Sequence, residues 1–195
     1  MQNNIKLITE KLKNNMSKII LGLAGEIASG KGTTAKYICE KHNGSSHRFS
    51  TALRDVADRM YLEKNRENLQ KISTIFRENF FDDILSSVIA KDVEHDEHEI
   101  IAIDGVRRLA DITYLQKIPG FKLVYIETDM KKRYERIITR GENTDDITKT
   151  FEDFQKDHKR EAERQIKDLK NKAEYVINNN GSLEELYKQV DEIIK

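Results

Sequence analysis

The chain has 195 residues, enough for one domain with a substantial core, and its 37% apolar and 35% charged content excludes wholesale disorder. Lys plus Arg and Asp plus Glu each count 34, so the net charge is zero, which argues against a dedicated nucleic-acid binder. No apolar run reaches the ~18 residues of a membrane span, no secretory leader is visible, and the lone Cys39 closes no disulfide within the chain, so a cytoplasmic protein with no membrane partner is expected.

Residues 1–16 space Ile5, Ile8, Leu12 and Met16 helically. They read either as an amphipathic N-terminal extension or as a stretch ahead of a natural start at Met16. Residues 17–195 read as a single domain. Lys18–Ala24 is a continuous apolar strand, followed by a glycine-rich turn and a helix from Lys31 to Lys41. A short strand, His47–Ser50, leads into a helix carrying Leu53, Val56, Ala57 and Met60. The next helix spaces Leu69, Ile72, Phe76 and Phe80, leaving Arg66 and Arg77 for a polar face. Another carries Ile84, Leu85, Val88 and Ile89.

Glu99–Asp104 and Phe121–Ile126 are further continuous runs, the second preceded by a Pro119-Gly120 turn. Met130 opens a helix bearing Arg133, Arg136 and Arg140. Thr150 with Asp153 forms an N-cap signal for a long helix near 151–170, packed by Phe151, Phe154, Ile166 and Leu169. A shorter run, Tyr175–Ile177, precedes Asn178-Asn179-Asn180-Gly181. Continuous rather than alternating runs predict parallel strands covered on both faces. The expected class is α/β, three layers with a mostly parallel central sheet.

Gly25-Glu26-Ile27-Ala28-Ser29-Gly30-Lys31 matches G-x-x-x-x-G-K between a strand and a helix. In that place the backbone of Ala28, Ser29 and Gly30 can curl its N–H groups toward phosphate oxygens, and the helix adds its positive end. Lys31 would bridge the outer phosphates of a nucleoside triphosphate. Gly32 stands where Ser or Thr usually follows the lysine, so the hydroxyls come from Thr33 and Thr34, with Thr33 the candidate near phosphate and Mg²⁺. Asp104 ends a buried strand, where an acid is costly unless it has a role, and ligands gather at such strand ends. It is the second candidate for Mg²⁺, directly or through water. His95 and His98 invite a metal reading, against which stands a merely solvated charged connection.

Gly30-Lys31-Gly32-Thr33 resembles the nucleoside monophosphate kinases of the P-loop class, adenylate kinase in particular, over most of the chain after residue 16. Ser50-Thr51 followed by Leu53-Arg54 resembles the family's acceptor-binding segment, with two residues fewer. The resemblance implies that Arg54, beside Thr51, grips an acceptor phosphate. Asp104-Gly105 followed by Arg107-Arg108 is similar to the Asp-Gly-x-x-Arg signature, with either arginine eligible. Arg136 and Arg140 resemble the pair that opens the lid. The tail Val176–Leu186 resembles endings of phage-type deoxynucleotide kinases and dephospho-coenzyme A kinase-like proteins.

The likeness implies ATP and Mg²⁺, a helical acceptor-binding insertion over about 51–95 and a short lid over about 136–150. Arg66 and Gln70 lie one turn apart in that insertion and either read the acceptor or cover a solvated face. The implied reaction moves the γ-phosphoryl group to a nucleoside or deoxynucleoside monophosphate. Dephospho-coenzyme A or another small acceptor is the alternative, and a nucleotide-dependent regulatory ATPase is the alternative of another class. The only expected partner is the small-molecule acceptor. The oligomeric state is left open.

Overall fold

The computed structural model describes residues 18–140, 150–158 and 161–195. The expected helix within 1–16 and most of the expected lid lie outside the described residues, as do the side chains of Arg66 and Arg140.

Strand β1 (Ile19–Ala24) is followed by helix α1 (Lys31–Lys41), β2 (Ser45–Arg48), and helices α2 (Phe49–Arg59), α3 (Arg66–Asn79) and α4 (Ile84–His95). Then come β3 (Ile100–Val106), two 3₁₀ turns (Leu109–Ile112 and Leu115–Lys117), β4 (Phe121–Glu127) and α5 (Met130–Arg140). Helices α6 (Phe151–His158) and α7 (Glu161–Lys170) occupy the stretch expected as one helix, before β5 (Tyr175–Asn178) and α8 (Leu183–Ile194). The sheet order is β2-β3-β1-β4-β5, and each neighbouring pair is parallel. The chain leaves β1 toward one edge, returns through β3 and continues to the other edge, so β1 is the switch strand. Ligand sites in open α/β sheets form at that point, at the strands' carboxyl ends.

Alternate residues of β1 feed two cores. Ile20 and Ala24 pack with Leu53 and Ala57 of α2, Ile72 of α3, Leu85, Ile89 and Val93 of α4, and Ile166 and Leu169 of α7. Leu21 and Leu23 pack on the opposite face with Ala35 and Ile38 of α1 and Leu186, Val190 and Ile193 of α8. Each buried Leu, Ile or Val among them contributes about 1.5–3 kcal/mol by leaving water, which is why these runs cannot slip register.

Three local expectations need correcting. The second strand is Ser45–Arg48, and Phe49 and Ser50 already belong to α2, because Phe49 turns into the core at 7% exposure once pairing with β3 ends. Arg77 does not decorate a solvated face: its Nη2 lies 2.7 Å from Asp111 Oδ1, both side chains nearly buried. Met60 and Phe80, spaced with the apolar residues of their helices, lie just past the helix ends and are 64% and 66% exposed, and Phe151, expected to pack on the core, is 36% exposed, its ring edge-on to Tyr134.

Candidate functional site

The loop between β1 and α1 is built by close packing. A Cβ at Gly25 would lie 2.5 Å from the Ile126 carbonyl oxygen, and one at Gly30 would lie 2.2 Å from Asn179 Nδ2. Gly30 also holds φ +108°, a left-handed conformation that side chains resist. No side chain caps α1 and no acid lies in its first turn, so its positive end is left for an anion. Lys31 Nζ donates to the carbonyls of Gly25 at 2.7 Å and Glu26 at 2.9 Å, which sets the ammonium at the loop's mouth. The hydroxyl of buried Ser29 has no hydrogen-bond partner among the described residues. A cradle that only glycine fits, an anchored ammonium and an orphaned hydroxyl fit the phosphates of a nucleoside triphosphate. Thr33 and Gly32 are exposed beside them, whereas Thr34 is fully buried, its hydroxyl also unpaired.

The outer side of the loop is held by residues that the motif does not announce. Thr128 Oγ1 and Asn179 Nδ2 both donate to the Ser29 carbonyl, at 2.9 and 2.7 Å. Arg136 Nη2 donates to the Asn179 carbonyl at 2.9 Å and its Nη1 lies 3.4 Å from Thr128 Oγ1. Arg133 is 1% exposed. Its Nη2 pairs with Glu26 Oε2 at 2.8 Å, Nη1 donates to the Ile27 carbonyl at 3.3 Å and Nε to the Thr128 carbonyl at 3.0 Å. The guanidinium also sits 5.6 Å from the Phe154 ring of α6. The base of α5 is thus fastened to the phosphate loop, and Arg136 stands on that fastening.

Across the sheet, Asp104 is opposite Leu23 of β1, and Ala24 is opposite Val106. Gly105 is therefore skipped, a bulge at φ +95°. The Asp-Gly pair has a physical reason: the bulge ends regular pairing where the acid must face the strand end. Arg48 Nε donates to Asp104 Oδ2 at 3.2 Å. The backbone N–H groups of Arg107 and Arg108 donate to Asp111 Oδ2 at 2.9 and 3.1 Å, while Arg77 pairs with the other oxygen of the same carboxylate. Asp111 so fixes the turn that carries both arginines and ties it to α3. Arg107 is exposed and Arg108 half-buried. Thr51 and Arg54 on α2 and Gln70 on α3 are exposed.

The histidine segment is organised differently from either sequence reading. Among the described residues no cluster suited to a metal ion forms. His95 Nδ1 instead donates to the Lys91 carbonyl. Asp96 is a nearly buried hub that accepts from the Ser45 hydroxyl, from the His47 ring at 2.7 Å, and from the backbone and ring of His98 at 2.9 and 2.7 Å. Burial alone would raise the Asp96 carboxyl, but the bonds from Ser45, His98 and His47 outweigh it and hold it below its ordinary value. A shallow cavity of about 520 Å³ beside Leu109, Ile112, Phe121 and Glu174 shares no residue with the phosphate loop or Asp104.

A family model described as an AAA domain matches residues 21–168. A UPF0200 protein of Thermococcus kodakarensis is 30% identical over 188 residues, covering 92% of this chain and 98% of its own. Another, from Sulfurisphaera tokodaii, is 28% identical over 177 residues, covering 90% and 96%. Among solved structures, TT1252 from Thermus thermophilus superposes with a TM-score of 0.63 at 14% identity, over 91% of this chain and 97% of that one. A shikimate kinase from Bacteroides thetaiotaomicron gives 0.56 at 14% identity, over 90% and 95%. At such identities the structural likeness is one of fold.

Proposed function

The chain belongs to the AAA domain family and carries a P-loop kinase-like domain, and from that premise we propose that it is an ATP-dependent phosphotransferase acting on a nucleoside or deoxynucleoside monophosphate. The observation that supports this most is the placement of a braced phosphate loop, with Lys31 at its mouth, one strand away from the bulged end that presents Asp104. Mg-ATP, when bound, supplies the phosphoryl group and positive charge on its oxygens.

The residues then divide the work. Gly25–Gly32 and Lys31 hold the triphosphate, and Thr33 and Asp104 hold the Mg²⁺, directly or through water. Arg54 and either Arg107 or Arg108 hold the acceptor phosphate, with Thr51, Arg66 and Gln70 beside it. The family resemblance assigns Arg136 and Arg140 to the transferring group, for which Arg136 would leave its bond to the Asn179 carbonyl. Such a reaction needs little covalent help from the protein: in-line positioning and neutralised charge carry it.

A hydroxyl acceptor, such as the ribose of dephospho-coenzyme A, is the second reading. It draws on the fold shared with a shikimate kinase and on Asp104, whose Oδ1 no described residue engages and which could take the hydroxyl proton. A coupled ADP-release assay separates the readings. Mg-ATP is offered with ribo- and deoxynucleoside monophosphates, with dephospho-coenzyme A, and with no acceptor. Turnover rising with one monophosphate is the expected result. A response to dephospho-coenzyme A alone selects the second reading, and turnover indifferent to every acceptor rejects both in favour of a regulatory ATPase.

A further inference from the structure

Arg48 belongs to none of the motifs that point to phosphate chemistry. It is the last residue of β2, pairs in register with Asp104, and Asp104 pairs with Leu23, so the three lie in one row across β2, β3 and β1. Two strand spacings put the Arg48 backbone roughly 10 Å from β1, on the side where α2 begins. The two partners differ in exposure: the Asp104 side chain is 13% exposed and that of Arg48 is 52%. Only Nε of Arg48 is used, in the bond to Asp104 Oδ2, and no described residue bonds its Nη1 or Nη2.

A guanidinium presents five N–H donors in a planar fork. Engaging Nε alone leaves the outer edge, with both terminal nitrogens, unbonded by any described residue on a half-exposed side chain, and such an edge matches two oxygens of one phosphate or carboxylate. The anchoring carboxylate also limits the rotamers that such a long side chain would otherwise lose on binding. We infer that Arg48 is a further acceptor-binding residue, held at Nε by Asp104 and gripping the acceptor's phosphate through Nη1 and Nη2. The inference rests on the phosphotransferase reading and adds to it that the acceptor is anionic on the β2 side of Asp104. It also makes Asp104 a shared post, bonded to the acceptor's arginine through Oδ2 while no described residue engages Oδ1.

The test is calorimetric, with Mg²⁺ and the non-hydrolysable β,γ-methylene analogue of ATP present, titrating the panel of nucleoside monophosphates into wild type, Arg48→Met and Arg48→Lys. Arg48→Met should weaken the monophosphate that binds by about tenfold or more, the effect of a lost charge-assisted contact. Its affinity for the ATP analogue should stay within about threefold. Arg48→Lys should recover only part of the loss, because an ammonium cannot keep the anchor and offer a fork. In turnover, the acceptor KM should rise far more than kcat falls. An unchanged monophosphate affinity, or equal weakening of both ligands, would overturn the inference. So would a wild type that binds the ATP analogue but no monophosphate, an outcome that leaves a phosphotransferase with an acceptor of another kind. Failure of wild type to bind the ATP analogue would instead remove the phosphotransferase reading, and the inference with it.

Discussion

The two sides of the sheet's carboxyl edge are built to opposite standards. On the triphosphate side, Thr128, Arg133, Arg136 and Asn179 converge on the outside of one loop, and Arg133 and Asn179 are nearly excluded from solvent. On the side proposed for the acceptor, Thr51, Arg54, Gln70 and Arg107 are exposed, and the α2–α3 connection shows Met60, Tyr61 and Leu62 to solvent. A triphosphate is the same in every reaction of this class, so its cradle can be preorganised in the core. In the proposed reaction the acceptor is the part that has to be discriminated, and the residues proposed to read it are the exposed ones. The Arg48–Asp104 pair sits on the border, one partner buried and one exposed.

Substitutions break or sharpen this contrast. The largest effect is expected from Arg133→Met, which removes the ion pair to Glu26 and the bonds to the Ile27 and Thr128 carbonyls. It should lower unfolding stability by about 3–5 kcal/mol in urea titration. A stability loss below about 1 kcal/mol would mean the loop is not held from α5. Asp96→Asn, at the amino ends of β2 and β3 and so away from the carboxyl edge, should cost about 2 kcal/mol near neutral pH. Its folded pKa is lowered, so the wild-type contribution is present above the ordinary carboxylate value of 3.8 and is lost as pH falls below it. Wild-type and variant acid-unfolding curves should therefore converge at low pH, and parallel curves would contradict the hub.

Gly30→Ala asks for a Cβ at φ +108° against Asn179, and about 1–2 kcal/mol of stability should go with weaker binding of Mg-ATP. Arg54→Met should be the mildest for the fold, within ~0.5 kcal/mol. Its acceptor KM should nonetheless rise about tenfold, and unchanged kinetics would move the acceptor away from α2.

The layered fold and the phosphate loop were legible because both leave local marks. Continuous apolar runs report parallel strands, and two glycines with a lysine report a backbone that must approach a ligand. Asp104-Gly105 was legible as a motif, but its reason, a bulge opposite Ala24, exists only in the pairing of β3 with β1. Arg133, Thr128 and Asn179 were not legible, since each acts on a loop about 100 or 150 residues earlier and nothing in its own neighbourhood marks it. Arg133 in particular looks like one more cation on a basic helix. Arg77 and Asp96 misled for the same reason: the charges read as solvated until Asp111 and His47 were brought to them from distant segments.

The central claim is transfer rather than hydrolysis. Phosphorus NMR tests it directly, following Mg-ATP with the protein, the monophosphate panel and dephospho-coenzyme A, with Lys31→Ala run beside wild type. The expected result is loss of the γ-phosphorus resonance with matching growth of a phosphoryl resonance on one acceptor, slowed about 10²–10³-fold in Lys31→Ala. Growth of inorganic phosphate alone, or identical rates for wild type and Lys31→Ala, would contradict it.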